Sequence, residues 1–287
     1  ANYDNTGAKG GMSLAAGAGS IANGTASTVT GAFSRVDGDG VNGFRAFQGA
    51  TAAVYGSFNV VGAQSGVEYD GVANSIIGVA NKTENANAAL VFGAGNKVTN
   101  SYRPVDMATA LPLAEGLQKA IETGNTDDMI TALGDMVKTS GGAVLAIGGA
   151  NTADYAMLSK VVGVGNTLTG TEGNESRLNM IDGYLNTATN VNNVTTVGSF
   201  NKVSDTNSAI LIGDNRVLTN ASNSVILGPS STVMTTAVAD ATAIGHNANV
   251  TVANGVALGS GSVASVDKDV AGYDVVTKEA STETSTA

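Results

Sequence analysis

The stretch Thr195-Thr196-Val197-Gly198-Ser199-Phe200-Asn201-Lys202-Val203 returns as Ile210-Leu211-Ile212-Gly213-Asp214-Asn215-Arg216-Val217. It returns again as Val225-Ile226-Leu227-Gly228-Pro229-Ser230-Ser231-Thr232-Val233, and Thr242-Ala243-Ile244-Gly245 and Val256-Ala257-Leu258-Gly259 extend the series. Each block is a short apolar strand, a glycine, two or three small polar residues, and an apolar residue four or five places after the glycine. The glycines stand at 148, 163, 183, 198, 213, 228, 245 and 259, with earlier ones at 78 and 93 and weaker ones at 17, 31 and 56. Most intervals are fourteen to seventeen residues. That is too short for helical repeats. It fits one coil of two short strands and two tight turns, so the chain reads as a β-solenoid.

Residue types around each glycine explain the coil. Glycine supplies a positive φ that a β-branched residue adopts only at a cost. Asn81, Asn96, Asn151, Asn166, Asn186 and Asn201 each stand three residues after their glycine. Asparagine tolerates the left-handed region, and stacked asparagines can form a ladder along one edge. The two residues before the glycine are apolar in nearly every coil, as in Ile76-Ile77, Val91-Phe92, Val161-Val162, Leu211-Ile212 and Ile226-Leu227. Adjacent strand residues point to opposite faces, so both faces are apolar. One face fills the coil. The other requires a partner, and the pattern predicts an obligate oligomer of this chain. Asp182 breaks the rule at the position before the glycine, which leaves the register near 183 open.

Composition narrows the function. The net charge is −10, from Lys+Arg 14 against Asp+Glu 24. That argues against nucleic acid and anionic membrane surfaces, which reward clustered Lys and Arg. With no cysteine there is no disulfide scaffold, thiolate metal site or cysteine nucleophile. No tryptophan and 38 glycines suit a narrow roll with small side chains inside. No run of apolar residues reaches the length of a membrane-spanning helix. The chain opens and closes mid-pattern, as a mature fragment would.

Two stretches depart from the repeat. Leu113, Leu117 and Ile121, then Met129, Leu133, Met136 and Val137, follow helical spacing and predict two short amphipathic helices joined at Gly124-Asn125. Pro112 suits a first helical turn, and Asp127 or Thr126 can cap the second helix. The helical hairpin is a decoration packed on the shaft or, alternatively, a binding protrusion. The other departure spans residues 35–50. Asp37, Asp39 and Asn42 faintly suggest a calcium loop, but their spacing is not that of an EF-hand and the closing glutamate is missing. Phe44, Arg45 and Phe47 are residue types that anchor interfaces. The plain alternative is that the two phenylalanines plug the roll. Smaller departures cover 64–73, with Tyr69, and 170–178. Tyr102 and Arg103 enter the helical insertion. The residues expected to bind a receptor are Phe44, Arg45, Phe47, Tyr69, Tyr102 and Arg103.

Catalytic chemistry is not apparent. His246 is the only histidine and occupies a repeat position held elsewhere by Ser199, Asp214 and Pro229. The Gly-x-Gly pairs at 17/19, 93/95, 163/165 and 259/261 lack the following helix of a dinucleotide site. No catalytic residue, metal or cofactor is expected.

The glycine blocks resemble the YadA-like head of trimeric autotransporter adhesins. Asn74-Ser75-Ile76-Ile77-Gly78, Asn207-Ser208-Ala209-Ile210-Leu211-Ile212-Gly213, Asn223-Ser224-Val225-Ile226-Leu227-Gly228 and Asn254-Gly255-Val256-Ala257-Leu258-Gly259 carry the likeness, which covers most of 70–275. Asp267-Lys268-Asp269-Val270-Ala271-Gly272-Tyr273-Asp274 looks like the approach to the family's neck. The resemblance implies an all-β, left-handed parallel β-roll solenoid, homotrimeric, here with a small helical hairpin inserted. The parts would be residues 1–103 and 141–265 as the roll, 104–140 as the helical insertion, and 266–287 as the start of the neck. It further implies a non-enzymatic virulence adhesin on the bacterial cell surface, held to the outer membrane by an anchor outside this sequence. Family members bind collagen, other matrix proteins or host receptors of the carcinoembryonic-antigen family. An overall likeness to fusobacterial adhesins favours the last. A rival of another class is a polysaccharide-processing β-solenoid enzyme, which would need carboxylates in rank where this sequence has Ala, Ser, Thr and Asn.

Overall fold

The computed structural model describes residues 7–38, 47–63 and 70–284. The chain falls into two compact units, Ala1–Arg177 and Leu178–Ala287. Both are parallel β-rolls built from the coils that the glycine period predicts.

In the first unit the strands that lead into the repeat glycines stack in sequence order. They are Leu14–Ala16, Thr28–Thr30, Ala53–Tyr55, Ser75–Val79, Leu90–Ala94, Leu145–Gly149 and Lys160–Val164. The return strands form a second parallel sheet: Ile21–Ala22, Arg35–Val36, Val60–Gly62, Lys82–Ala86, Lys97–Ser101, Thr152–Asp154 and Thr167–Thr169. Glycine pairs with glycine across coils, Gly78 with Gly93 and Gly93 with Gly148. The second of these pairs spans the insertion, so the extra residues leave the register of the roll intact.

The second unit repeats the scheme. Met180–Tyr184, Thr195–Ser199, Ile210–Ile212, Val225–Leu227, Thr242–Ile244 and Val256–Leu258 stack in one sheet. Thr187–Thr189, Lys202–Ser204, Arg216–Thr219 and Met234–Thr236 stack in the other. Asp182 sits in regular register opposite Val197, and it is tolerated because that position faces outward. Beyond the roll, Ala271–Asp274 and Glu279–Thr284 pair as an antiparallel hairpin in the segment expected to begin a neck.

Alternation within each strand separates the two apolar positions. Leu211, two before its glycine, is 0% exposed, whereas Ile212, one before it, is 45% exposed. The same split holds for Ile76 and Ile77, and for Ala243 and Ile244. The inner residues of both sheets fill the coil, and the outer residues of the first sheet leave an apolar face open on each unit.

The turn after the glycine differs from expectation. Its left-handed residue is the one two places after the glycine: Phe33, Phe58, Ala80, Leu185 and Phe200 have φ of 53°, 60°, 56°, 52° and 58°. The asparagine one place further on is buried and is used for its carboxamide. Asn96 Nδ2 donates to Asn81 Oδ1 at 3.0 Å and to the Gly148 carbonyl at 2.9 Å, while its backbone N–H donates to the same Asn81 oxygen at 3.0 Å. Asn151 repeats this pattern on Asn96 and Gly163. In the second unit Asn186 and Asn201 satisfy the carbonyls of Gly198 and Gly213. The ladder expected from stacked asparagines is present. Its cause is satisfaction of buried backbone groups, not backbone conformation. Glycine is needed at the turn for a second reason besides φ. A Cβ on Gly78 would fall inside the carbonyl of Gly93 in the next coil.

The insertion forms two helices, α1 (Met107–Thr123) and α2 (Thr126–Ser140), joined through Gly124, which takes φ 66°. Helix α1 begins earlier than Pro112 suggests. Asp106 caps it, accepting from Thr109 N at 2.8 Å. Pro112 therefore lies inside the helix, and the carbonyl it leaves unbonded belongs to Ala108, on an exposed turn where water can serve it. The cap of α2 is Asn125 rather than Thr126 or Asp127, because Asn125 is the last extended residue before the helix. Its side chain accepts from Asp127 N and Asp128 N. The two aspartates occupy the first turn, where their charge complements the helix dipole. The apolar stripe packs on the roll. Ala114, Leu117 and Met136 form one buried cluster with Phe47, Ala50 and Val72. Among the described residues no helix is long and apolar enough to cross a membrane.

Candidate functional site

Two departures from the repeat, the helical insertion and the loop after Gly170, meet the turn at Tyr155 on one edge of the first unit. The chain leaves the strand Lys97–Ser101 through Tyr102 and Arg103. Tyr102 bridges Gly141, and Arg103 N donates to the Ser140 carbonyl at 3.0 Å, which closes the base of the insertion. Tyr155, in the left-handed region at φ 48°, ends the neighbouring strand. Its N–H donates to the Thr99 carbonyl at 3.1 Å, and its carbonyl accepts from Ser176 N at 2.9 Å. The loop after Gly170 then lies alongside, closed by a Thr171–Asn174 bridge and by the Glu175–Arg177 ion pair at 2.8 Å. Ala156–Met157 and Ser176–Arg177 pair as a small parallel ribbon beneath it.

Electrostatics tie these pieces together. The Tyr102 hydroxyl titrates above its ordinary value, first because it is partly buried and then because the charges of Asp70, Glu172 and Tyr155 act on it. It stays neutral at physiological pH and offers a phenolic donor beside carboxylates. Tyr102, with the carboxylates of Asp70 and Glu172 acting on it, marks an edge that combines an aromatic ring with polar groups, a composition suited to protein recognition. Tyr155 and Glu172 were not among the residues expected from sequence. The signal for them was the short departure at 170–178, but only the fold places it next to Tyr102.

The other expected residues fare differently. Phe47 is 8% exposed and belongs to the cluster beneath the helices, so in this chain it is a packing residue and not a free anchor. Phe44, Arg45 and Tyr69 lie outside the described residues, as do Asp39 and Asn42 of the calcium-loop reading. Asp37 pairs with Arg35 at 3.3 Å on the surface.

Aromatic side chains also stand exposed on the turn row that follows the glycines. Phe33 and Phe58 stack with centroids 5.8 Å apart in the first unit. Tyr184 and Phe200 meet edge to face at 5.4 Å in the second. Phe58 and Phe200 stand at the same place in two near-duplicate segments, Gly56-Ser57-Phe58-Asn59 and Gly198-Ser199-Phe200-Asn201. A bulky residue held at positive φ is strained by about 1–2 kcal/mol, so an exposed phenylalanine there is kept against a local cost. An apolar slot lies between the helices and the roll, lined by Met12, Leu117, Ile121, Met129, Ile130 and Leu133.

The histidine stands on an exposed turn. His246 Nε2 lies 2.9 Å from Ser231 Oγ in the preceding coil, and no carboxylate orients its Nδ1 among the described residues. Among those residues no group of three His, Cys, Asp or Glu side chains is arranged to hold a metal. No protein-family model matches this chain, and no curated protein matches it.

Proposed function

We propose that this chain is the head of a bacterial surface adhesin that assembles as a homotrimer and binds a host protein through loops that depart from the roll. The observation that carries the reading is the outward face of the glycine-bearing strands. In the first unit Tyr55, Ile77, Leu90 and Ile147 are exposed on it, and in the second Ile210, Ile212, Ile244 and Leu258. A soluble monomer rarely keeps so regular an apolar face, and stacked strands repeat it at every coil. Covering it with two further copies is economical, because each copy brings the same face. The likeness of the glycine blocks to YadA-like heads supports the same number of chains and a left-handed roll.

Receptor contact is assigned to the Tyr102, Arg103, Tyr155 and Glu172 edge. The coils' own turns are mostly small and polar. The favoured partner is an immunoglobulin-like host receptor of the carcinoembryonic-antigen family, with collagen and other matrix proteins as the comparison. The test is a binding screen of the assembled protein against both groups, repeated with Tyr102→Ala combined with Tyr155→Ala. Anchors of this type contribute about 2 kcal/mol, so the double variant should bind at least about thirtyfold more weakly while remaining assembled. Unchanged affinity places the contact elsewhere. Absence of binding to every host protein, with polysaccharide turnover in its place, would favour the enzyme reading.

A further inference from the structure

Each coil has two outward positions on opposite edges of its apolar face, one three residues before the repeat glycine and one two residues after it. Their sizes run against each other. Thr28, Ala53 and Thr195 hold the earlier position in the coils that carry Phe33, Phe58 and Phe200 at the later one. Leu14, Leu90, Lys160 and Val256 hold it where Gly19, Gly95, Gly165 and Gly261 follow. Every phenylalanine of the later row thus faces a small partner position, and every glycine a long one. Met180 with Leu185, large at both places, is the exception. Nothing inside one chain accounts for the pattern. Five residues of extended backbone set the two positions on the order of 15 Å apart. The turn does not demand glycine, since Ala80 and Ala150, in the coils flanking Gly95, hold φ of 56° and 53°. A Cβ on Gly95 would meet no atom closer than 3.8 Å. Gly19 does have an internal cause, because a Cβ there would come within 2.9 Å of the Phe33 ring.

Sizes that compensate without touching inside a chain are accounted for by contact between chains. In a closed ring of parallel copies each seam joins two different edges of the same face, at the same height. We propose that the seam of the homotrimer runs coil against like coil, with the later position of one copy seated on the earlier position of the next. Phe58 then packs on the partner's Ala53, and Leu90 fills the space beside the partner's Gly95. This rests on the homotrimer reading and adds its register. The exposed area suits a second copy. On the first unit's face nine large apolar side chains of the described residues are 36–61% exposed. At roughly 150–200 Å² per side chain they present on the order of 800 Å², the share one partner gives to a stable interface. The face of the second unit presents nearly as much, so one chain carries enough for the two seams that a ring requires. A partner of another kind seated on this face would not call for compensation coil by coil.

Introduced cysteine pairs test the register cleanly, because the chain has no cysteine of its own. A disulfide needs Cα atoms within about 7 Å, so Ala53→Cys with Phe58→Cys cannot close inside one chain. In the full chain, mild oxidation of this double variant should link copies covalently and stop at three, where the ring closes. Leu14→Cys with Phe58→Cys is the mismatched control, its coils lying two apart in the sheet, about 10 Å along the roll. The matched pair should give at least about tenfold more linked product than this control. Thr195→Cys with Phe200→Cys repeats the matched test in the second unit and decides the matter if the first pair does not assemble. A native chain that light scattering shows to be monomeric ends the homotrimer reading and this inference with it. An assembled trimer in which matched pairs stay unlinked, or link no more than the mismatched pair, overturns the seam alone.

Discussion

Arg216 occupies the position three after Gly213 that asparagine holds in the coils before it. It is fully buried and has no carboxylate partner among the described residues, and burial draws its pKa below the ordinary value. Its guanidinium does the work of several asparagines. Nε donates to the Gly228 carbonyl at 2.9 Å, one terminal nitrogen to Ala248 at 2.7 Å, and the other to Gly245 at 3.3 Å. The next two coils carry Ser231 and Ala248 at the asparagine position, which cannot reach those carbonyls. Arg216→Ala should destabilise by about 2 kcal/mol or more, since each orphaned buried carbonyl costs about 1–3 kcal/mol and relief of the lone buried charge offsets part of it. Arg216→Asn should recover part of the loss by satisfying Gly228 alone, as Asn201 does for Gly213. Urea unfolding orders the three proteins, and an alanine variant as stable as native would contradict this role. Thr196 presents the opposite case. It is buried between Ile181 and Leu211 in register, and its hydroxyl has no partner. Thr196→Val keeps the shape and removes the unsatisfied group, so it should stabilise by about 1 kcal/mol and raise the melting temperature by about 2–4 °C. A lower melting temperature would show that the hydroxyl is satisfied.

The helical hairpin is held by packing at its inner face and by the Tyr102–Gly141 closure at its base. Leu117 is buried against the roll, whereas Ile130 on the second helix is 65% exposed. Leu117→Ala should cost about 2–4 kcal/mol, and Ile130→Ala should change stability by less than about 0.5 kcal/mol. Phe47 belongs to the same cluster, so Phe47→Ala should cost about 3–5 kcal/mol. Any loss of binding in that variant must therefore be separated from loss of structure by comparing melting curves. Equal effects of the Leu117 and Ile130 changes would mean that the hairpin does not rest on the roll. The turn row beneath it carries Thr51, Ala73, Ala88 and Ala143, small enough for helices to approach. The same row in the second unit opens on the exposed Leu178 and then reads Asn193, Ser208, Asn223, Asp240 and Asn254, polar residues that suit water.

For the whole molecule the decisive contrast lies between neighbours in one strand. Leu211 faces the coil interior and Ile212 faces outward. Leu211→Asp buries an unpaired charge and should prevent folding. Ile212→Asp leaves each chain able to fold but places a charge on the proposed subunit face, so light scattering should report folded monomers while circular dichroism stays native. If the native chain is itself a folded monomer, the trimer reading is wrong. If Ile212→Asp assembles as native, the outward face is not the contact.

The sequence by itself determined the coil. Period and glycine placement are local and recur at each of the thirteen glycines from Gly17 to Gly259 that follow or lie in a strand of the first sheet, and both preceding residues are apolar except at Thr30, Asp182 and Thr196. The two helices and their joint at Gly124 were legible for the same reason, since spacing along one segment reports one face. What it could not decide was which of two adjacent apolar residues turns inward, because both read alike and only closure of the coil breaks the tie. Nor could it give asparagine its actual task. A left-handed turn and a buried carboxamide favour the same residue, and only stacking shows that the preceding Phe or Ala takes the strained conformation. Burial of Phe47 under a helix some seventy residues away, and the meeting of Tyr102, Tyr155 and Glu172, depend on contacts between distant coils. Those contacts are set by the stacking of the roll and leave no local trace in the chain.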